Sequence, residues 1–267
     1  MSGNREKGRD SSARDERFSV NEYLERIRPL AARVGFQMET FAAIGPYGLP
    51  VLVRGGDMEP LLYLSTGVHG DEPAGPLAIE RALAADSFSY DFGWVIFPVL
   101  NPTGLEKGTR ETEKGIDLNR DYRYLRAPES RAHRELLATR NWQFHAALGL
   151  HEDWEARGGY LYEHNREALP NPCQALLSVL EENVGIDASG EIDGWPTTSP
   201  GLIHPPSDSG LRDHWPEQIY LLKYHTQMSY TVETPSEFDL ERRIAAHSEA
   251  IRVFGDERVW IEDRRKS

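Results

Sequence analysis

Short apolar runs of strand length alternate with longer amphipathic stretches along most of this chain. Leu61–Leu64, Trp94–Leu100, Ala146–Leu150 and Met228–Val232 are nearly continuous apolar runs, the pattern of strands buried on both faces of a sheet. Between and around them the period changes to that of a helix. Over Glu22–Val34 the apolar residues Tyr23, Leu24, Ile27, Leu30 and Val34 fall on one helical face. Pro73 suits a first helical position, with Leu77, Ile79 and Leu83 continuing that helix. Further helices are predicted near Glu129–Trp142 and Cys173–Val184. A last one is predicted from about Ser236, whose hydroxyl would cap it, with Glu237 and Asp239 in its first turn. Leu240, Ile244, Ile251 and Phe254 would form its buried stripe. Residues 1–17 are polar and charged and read as a disordered tail. Residues 190–217 are rich in Pro, Gly, Ser and Asp and read as a long loop bordering a site. No repeat or linker divides the rest, so residues 18–267 are expected to form one α/β domain with a mostly parallel or mixed sheet.

Composition narrows the function class. A net charge of −13 argues against a nucleic-acid or anionic-membrane surface, although a local basic pocket stays possible within it. The single cysteine, Cys173, excludes an intrachain disulfide, so nothing points to an oxidising compartment. The first residues carry charge without an apolar signal-peptide core, and no run approaches the ~18 apolar residues of a membrane span. A cytoplasmic enzyme is the expectation.

The chemistry collects at the ends of three apolar runs. Leu61–Leu64 is followed by Thr66-Gly67-Val68-His69-Gly70-Asp71-Glu72-Pro73, which sets a histidine and a carboxylate three residues apart between tight glycines. Ligands in open α/β sheets bind beyond the carboxyl ends of strands. Zinc favours imidazole with carboxylate, and a hydrolytic site takes three protein ligands. The second run ends in His151, a candidate third ligand, and the last ends in Glu233 before Pro235. A lone histidine at a strand end is most often structural. Three such ends together point to one zinc ion held by His69, Glu72 and His151. Glu233 then stands where a general base for amide hydrolysis is needed.

Between these sites lie Asn101-Pro102-Thr103-Gly104, Gly108-Thr109-Arg110 and Asp117-Leu118-Asn119-Arg120-Asp121-Tyr122. In order and approximate spacing over residues 45–255, HGDEP, NPTG, GTR, DLNRDY, LGLHED and TVETP resemble the zinc carboxypeptidase superfamily. The HGDEPAG stretch is most similar to short bacterial carboxypeptidases and murein-peptide amidases. The short distance from Glu72 to His151 also resembles the succinylglutamate desuccinylase and aspartoacylase branch. The resemblance implies a central, eight-stranded mixed sheet and a zinc hydrolase that releases a C-terminal residue from a small peptide. It gives Glu233 the role of general base and Asp117 that of orienting His69. Asn119 and Arg120 match positions that bind a substrate's terminal carboxylate, and Arg110 matches the arginine facing the oxyanion. A planar guanidinium grips a carboxylate through two parallel hydrogen bonds, which suits Arg120 to that task.

Alternatives are a zinc deacylase of N-acyl amino acids and a non-catalytic metal-dependent binding module. The presence of Glu233 argues against the second, because a binding module needs no base. The expected partner is therefore a small peptide or N-acyl amino acid with a free carboxylate. Tyr220, Tyr224 and Tyr230 are the nearest candidates for a substrate-contacting tyrosine, and none is assigned. Glu152 and Asp153, beside His151, read as solvated loop acids.

Overall fold

The computed structural model describes residues 18–165, 169–206, 210 and 213–260. The expected tail, 1–17, lies outside these residues. The described chain forms a mixed, eight-stranded sheet with helices on both faces. In chain order the strands are β1 (Gln37–Ile44), β2 (Tyr47–Arg54), β3 (Leu61–Ser65), β4 (Gly93–Phe97), β5 (Ala146–Asp153), β6 (Tyr160–Asn165), β7 (Glu191–Ile192), β8 (Trp195–Pro196), β9 (Leu202–Ile203) and β10 (Met228–Pro235). The sheet order is β1-β2-β4-β3-β5-β10-β6-β9, and β7 pairs with β8 separately.

The four apolar runs became the adjacent central strands β4, β3, β5 and β10, parallel to one another. Their alternation serves two cores. Leu62, Leu64, Trp94 and Ile96 pack beneath α1 (Val20–Arg33), α2 (Ala74–Ala85), α5 (Cys173–Val184) and α7 (Leu240–Phe254). Tyr63, Val95 and Phe97 face the opposite core, with Leu137 of α4 (Pro128–Arg140) and Tyr220 of α6 (Glu217–Tyr224). Parallel strands of this kind are covered on both faces, which is why they read as unbroken apolar runs. A short α3 (Pro102–Lys107), capped by the Asn101 side chain, completes the helices. No helix among the described residues is long and apolar enough to cross a membrane.

Two helix starts differ from expectation. The last helix begins at Leu240, capped by Asp239, whose carboxylate accepts from the Glu241 amide at 2.9 Å; Ser236 lies outside it. Leu240 at that exposed start leaves the buried stripe to Ile244, Ile251 and Phe254. Pro73 is the N-cap of α2 rather than its first residue, a difference within the usual scatter of helix ends.

The glycines around the metal-loop residues have separate reasons. Gly67 adopts a left-handed φ of 60°, which a side chain disfavours. Gly70 is required by proximity: a Cβ there would stand 1.9 Å from the Gly104 carbonyl carbon in α3. Gly70→Ala is therefore expected to destabilise the fold by about 1–3 kcal/mol or more, because backbone on both sides must shift. Thermal unfolding checks this, and a wild-type midpoint would refute the close-packing argument.

Candidate metal centre and its cavity

Parallel pairing of β3, β5 and β10 places three strand ends side by side, with Glu233 directly across from His151 in the register. The Gly67–Pro73 loop turns His69 and Glu72 back over the end of β5. His69 Nδ1 lies 2.5 Å from Glu72 Oε1, and His151 Nδ1 lies 2.9 Å from Glu72 Oε2. One donor atom from each of the three lies within 4.8 Å of the others, and all three residues are buried. Two imidazole nitrogens converging on one buried carboxylate form a donor set suited to zinc. Burial opposes charge on all three groups, yet each holds its neighbour charged. The Glu72 and Asp117 carboxylates raise His69 to about 9, while the two histidines keep Glu72 far below the usual carboxylate range.

Asp117 sits behind His69, with Oδ1 3.3 Å from Nε2. It also accepts from the Asn119 amide at 2.8 Å and from Arg110 Nε at 3.1 Å. Despite partial burial, His69 and the nearby arginines hold its carboxyl well below its ordinary value. Arg110 reaches within 3.9 Å of Glu72. Asn119 and Arg120 belong to the short helical turn Leu118–Arg120, and Arg120 is exposed.

His69, Glu72, Arg110, Asn119 and Arg120 line one cavity of about 620 Å³ together with Glu233. This volume is that of a small-molecule site. Glu233 keeps surface toward the cavity, yet its depth pushes its carboxyl well above the usual range, helped by Glu72, Asp153 and Asp193 and opposed by His151. The stretch 190–217, read as a loop, carries the short strands β7, β8 and β9, and it borders the cavity through Asp193, Trp195, Pro205, Asp213 and His214.

Among the tyrosines, Tyr220 and Tyr230 are buried and Tyr224 is exposed, and none lines the cavity. Tyr160 and Tyr162 do. Their hydroxyls donate to Asp153 at 3.0 Å and Asp193 at 2.6 Å. The alternation Tyr160-Leu161-Tyr162 carried that signal in the sequence, since residues two apart share a strand face. Glu152 is not a solvated loop acid. Its side chain is buried, accepts from the Ala74 amide at 2.7 Å and pairs with Arg243.

Residues 59–154 match the family described as the succinylglutamate desuccinylase/aspartoacylase catalytic domain. No curated protein matches the chain. Among solved structures, a protein from Shewanella denitrificans described as a metallopeptidase is similar at 23% identity, with 88% of each chain covered and a TM-score of 0.74. A metallo-carboxypeptidase from Burkholderia cenocepacia is similar at 15% identity, covering 88% of this chain and 68% of its own, with a TM-score of 0.63. A metallo-carboxypeptidase from Pseudomonas aeruginosa, in complex with (2-guanidinoethylmercapto)succinic acid, is similar at 16% identity over 86% of this chain and 68% of its own, TM-score 0.60. The chain thus has the zinc carboxypeptidase-like fold, and its residues 59–154 are related in sequence to the succinylglutamate desuccinylase/aspartoacylase catalytic domain.

Proposed function

We propose that this protein is a zinc-dependent hydrolase that cleaves an amide bond beside a residue bearing a free carboxylate, as a metallocarboxypeptidase does. The observation that carries this reading is Glu233 set across from His151 in one cavity with His69, Glu72, Arg110, Asn119 and Arg120. His69, Glu72 and His151 would hold one zinc ion, which supplies Lewis acidity toward the scissile carbonyl and toward the attacking water. Glu233 takes the proton from that water and delivers it to the leaving nitrogen. Arg110, fixed by Asp117, offers its remaining guanidinium donors to the charge growing on the carbonyl oxygen. Arg120 and the Asn119 amide grip the carboxylate, which measures off the bond to be cut.

A second reading, hydrolysis of N-acyl amino acids, is favoured by the match over residues 59–154. Both readings use the same groups, and the succinic acid derivative bound by the Pseudomonas aeruginosa neighbour is in keeping with a small carboxylate ligand. The test is a screen of short peptides, muropeptides and N-acyl amino acids with zinc-loaded protein, each as free acid and as amide. Free acids should be cleaved and their amides spared. Arg120→Lys keeps the charge but loses the two-pronged geometry, and is expected to lower kcat/KM on free acids by about 10- to 100-fold. Equal cleavage of acids and amides would contradict the carboxylate reading. Cleavage of N-acyl amino acids alone would select the deacylase.

A further inference from the structure

Beneath the cavity, on the face covered by α4 and α6, lies a buried polar network that the hydrolytic groups do not use. Glu217, first residue of α6, is fully buried and accepts from the Ser65 hydroxyl at 2.7 Å and from the Tyr63 hydroxyl. His133, equally buried, has Nε2 3.1 Å from the Tyr63 oxygen and Nδ1 2.7 Å from the Tyr122 oxygen. The Tyr63 hydroxyl has one proton and gives it to Glu217, so it accepts from His133 Nε2–H. Tyr122 then donates to Nδ1. Every hydrogen points the same way, from Tyr122 through His133 and Tyr63 to Glu217. This pattern requires a neutral imidazole and an ionised carboxylate. Burial holds His133 down to about 3, as the pattern demands. Burial pushes the Glu217 carboxyl up, and the Tyr63 and Ser65 hydroxyls oppose that by donating to it.

The backbone of the same residue reaches the cavity wall. The Glu217 amide donates to Asn119 Oδ1 at 3.0 Å. An asparagine whose oxygen is occupied has only its NH₂ left to offer. Asn119 Nδ2 has no partner among the described residues, and Asn119 lines the cavity beside Arg120. We infer that Glu217 is a positioning residue: tied to Tyr63 and Ser65, it locks the first turn of α6 so that Asn119 turns its donor end toward a substrate carboxylate. No side chain caps α6, and its N-cap residue, Pro216, has no amide proton to donate. The Glu217 carboxylate is thus the side-chain tie that holds this turn against β3. With that tie gone, the Asn119 amide is free to rotate its oxygen into the cavity, an acceptor facing an anion.

The inference rests on the reading that Asn119 and Arg120 hold a carboxylate, and its test separates the two. Zinc-loaded protein carrying Glu233→Gln, which suppresses turnover, is titrated calorimetrically with N-acetylphenylalanine and with its amide. This background should bind the acid at least tenfold more tightly than the amide. Adding Glu217→Ala should reduce that preference about tenfold, the worth of a hydrogen bond to a charged group. Asn119→Ala should reduce it equally, and combining the two should cost nothing further, because Glu217 acts through Asn119. A preference lost with Asn119→Ala but retained with Glu217→Ala overturns the role of Glu217 and leaves the carboxylate reading standing. Absence of any preference in the background overturns both. Should Glu217→Ala not fold, Tyr63→Phe and Ser65→Ala each remove one donor to the carboxylate and are expected to reduce the preference by a smaller factor. An undiminished preference in both overturns the inference.

Discussion

Glu233→Gln is expected to lower turnover by ~10²–10⁴-fold while leaving the bound metal in place, the usual worth of a positioned acid–base group. Glutamine keeps the shape and much of the hydrogen bonding but cannot take a proton from water. Glu233 stands across from His151 in the strand pairing and keeps a face toward the cavity. The other acid beside the ligand cannot substitute for it, since both Glu152 oxygens are engaged, one by the Ala74 amide and the other by Arg243. Turnover close to wild type in this variant, with zinc intact, would remove Glu233 from the reaction.

The second large effect is expected at the metal. His151→Ala removes one of three donors and leaves His69 and Glu72 on a single loop, so zinc should be lost and activity with it. Asp117→Asn provides the internal comparison. It keeps all three donors and weakens the acceptor shared by His69 Nε2, Arg110 Nε and the Asn119 backbone amide. Such outer partners typically matter by about 10–100-fold in metal affinity, so Asp117→Asn should bind zinc more weakly and recover part of its activity when zinc is added, the rest being lost with the hold on Arg110. His151→Ala should not recover. The comparison is made by competition with a chelator, followed by readdition of zinc. Equal zinc affinity in His151→Ala and wild type would remove His151 from the site.

The convergence of His69, Glu72, His151 and Glu233 was legible in the chain because these residues follow apolar runs that are buried on both faces. Leu61–Leu64, Ala146–Leu150 and Met228–Val232 read as strands, and the residues just beyond them converge because those strands are neighbours and parallel. The β1–β2 hairpin was not legible. β1 is a half-exposed edge strand, and β2 carries Gly48 and Pro50, with Pro50 paired to Thr40 beside an irregularity in the register. Prolines are tolerated at such places, and they break the pattern a reader looks for. α6 was not read from the sequence, since it starts at the last residue of the stretch read as loop, follows Trp215-Pro216 and spans only two turns. Missing it concealed the link between Glu217 and Asn119, which joins residues 98 apart in sequence. The true helix cap at Asp239 was misplaced for a simpler reason: Ser236, Glu237 and Asp239 all suit a helix start, and local chemistry does not choose among them.

One zinc ion is expected at the joined ends of β3 and β5. Crystals of the purified protein measured on both sides of the zinc absorption edge test it most directly. The expected result is a single anomalous peak per chain, bounded by His69 Nδ1, a Glu72 carboxylate oxygen and His151 Nδ1. Zinc-replete protein with no peak there, or with its peak among other residues, would contradict it.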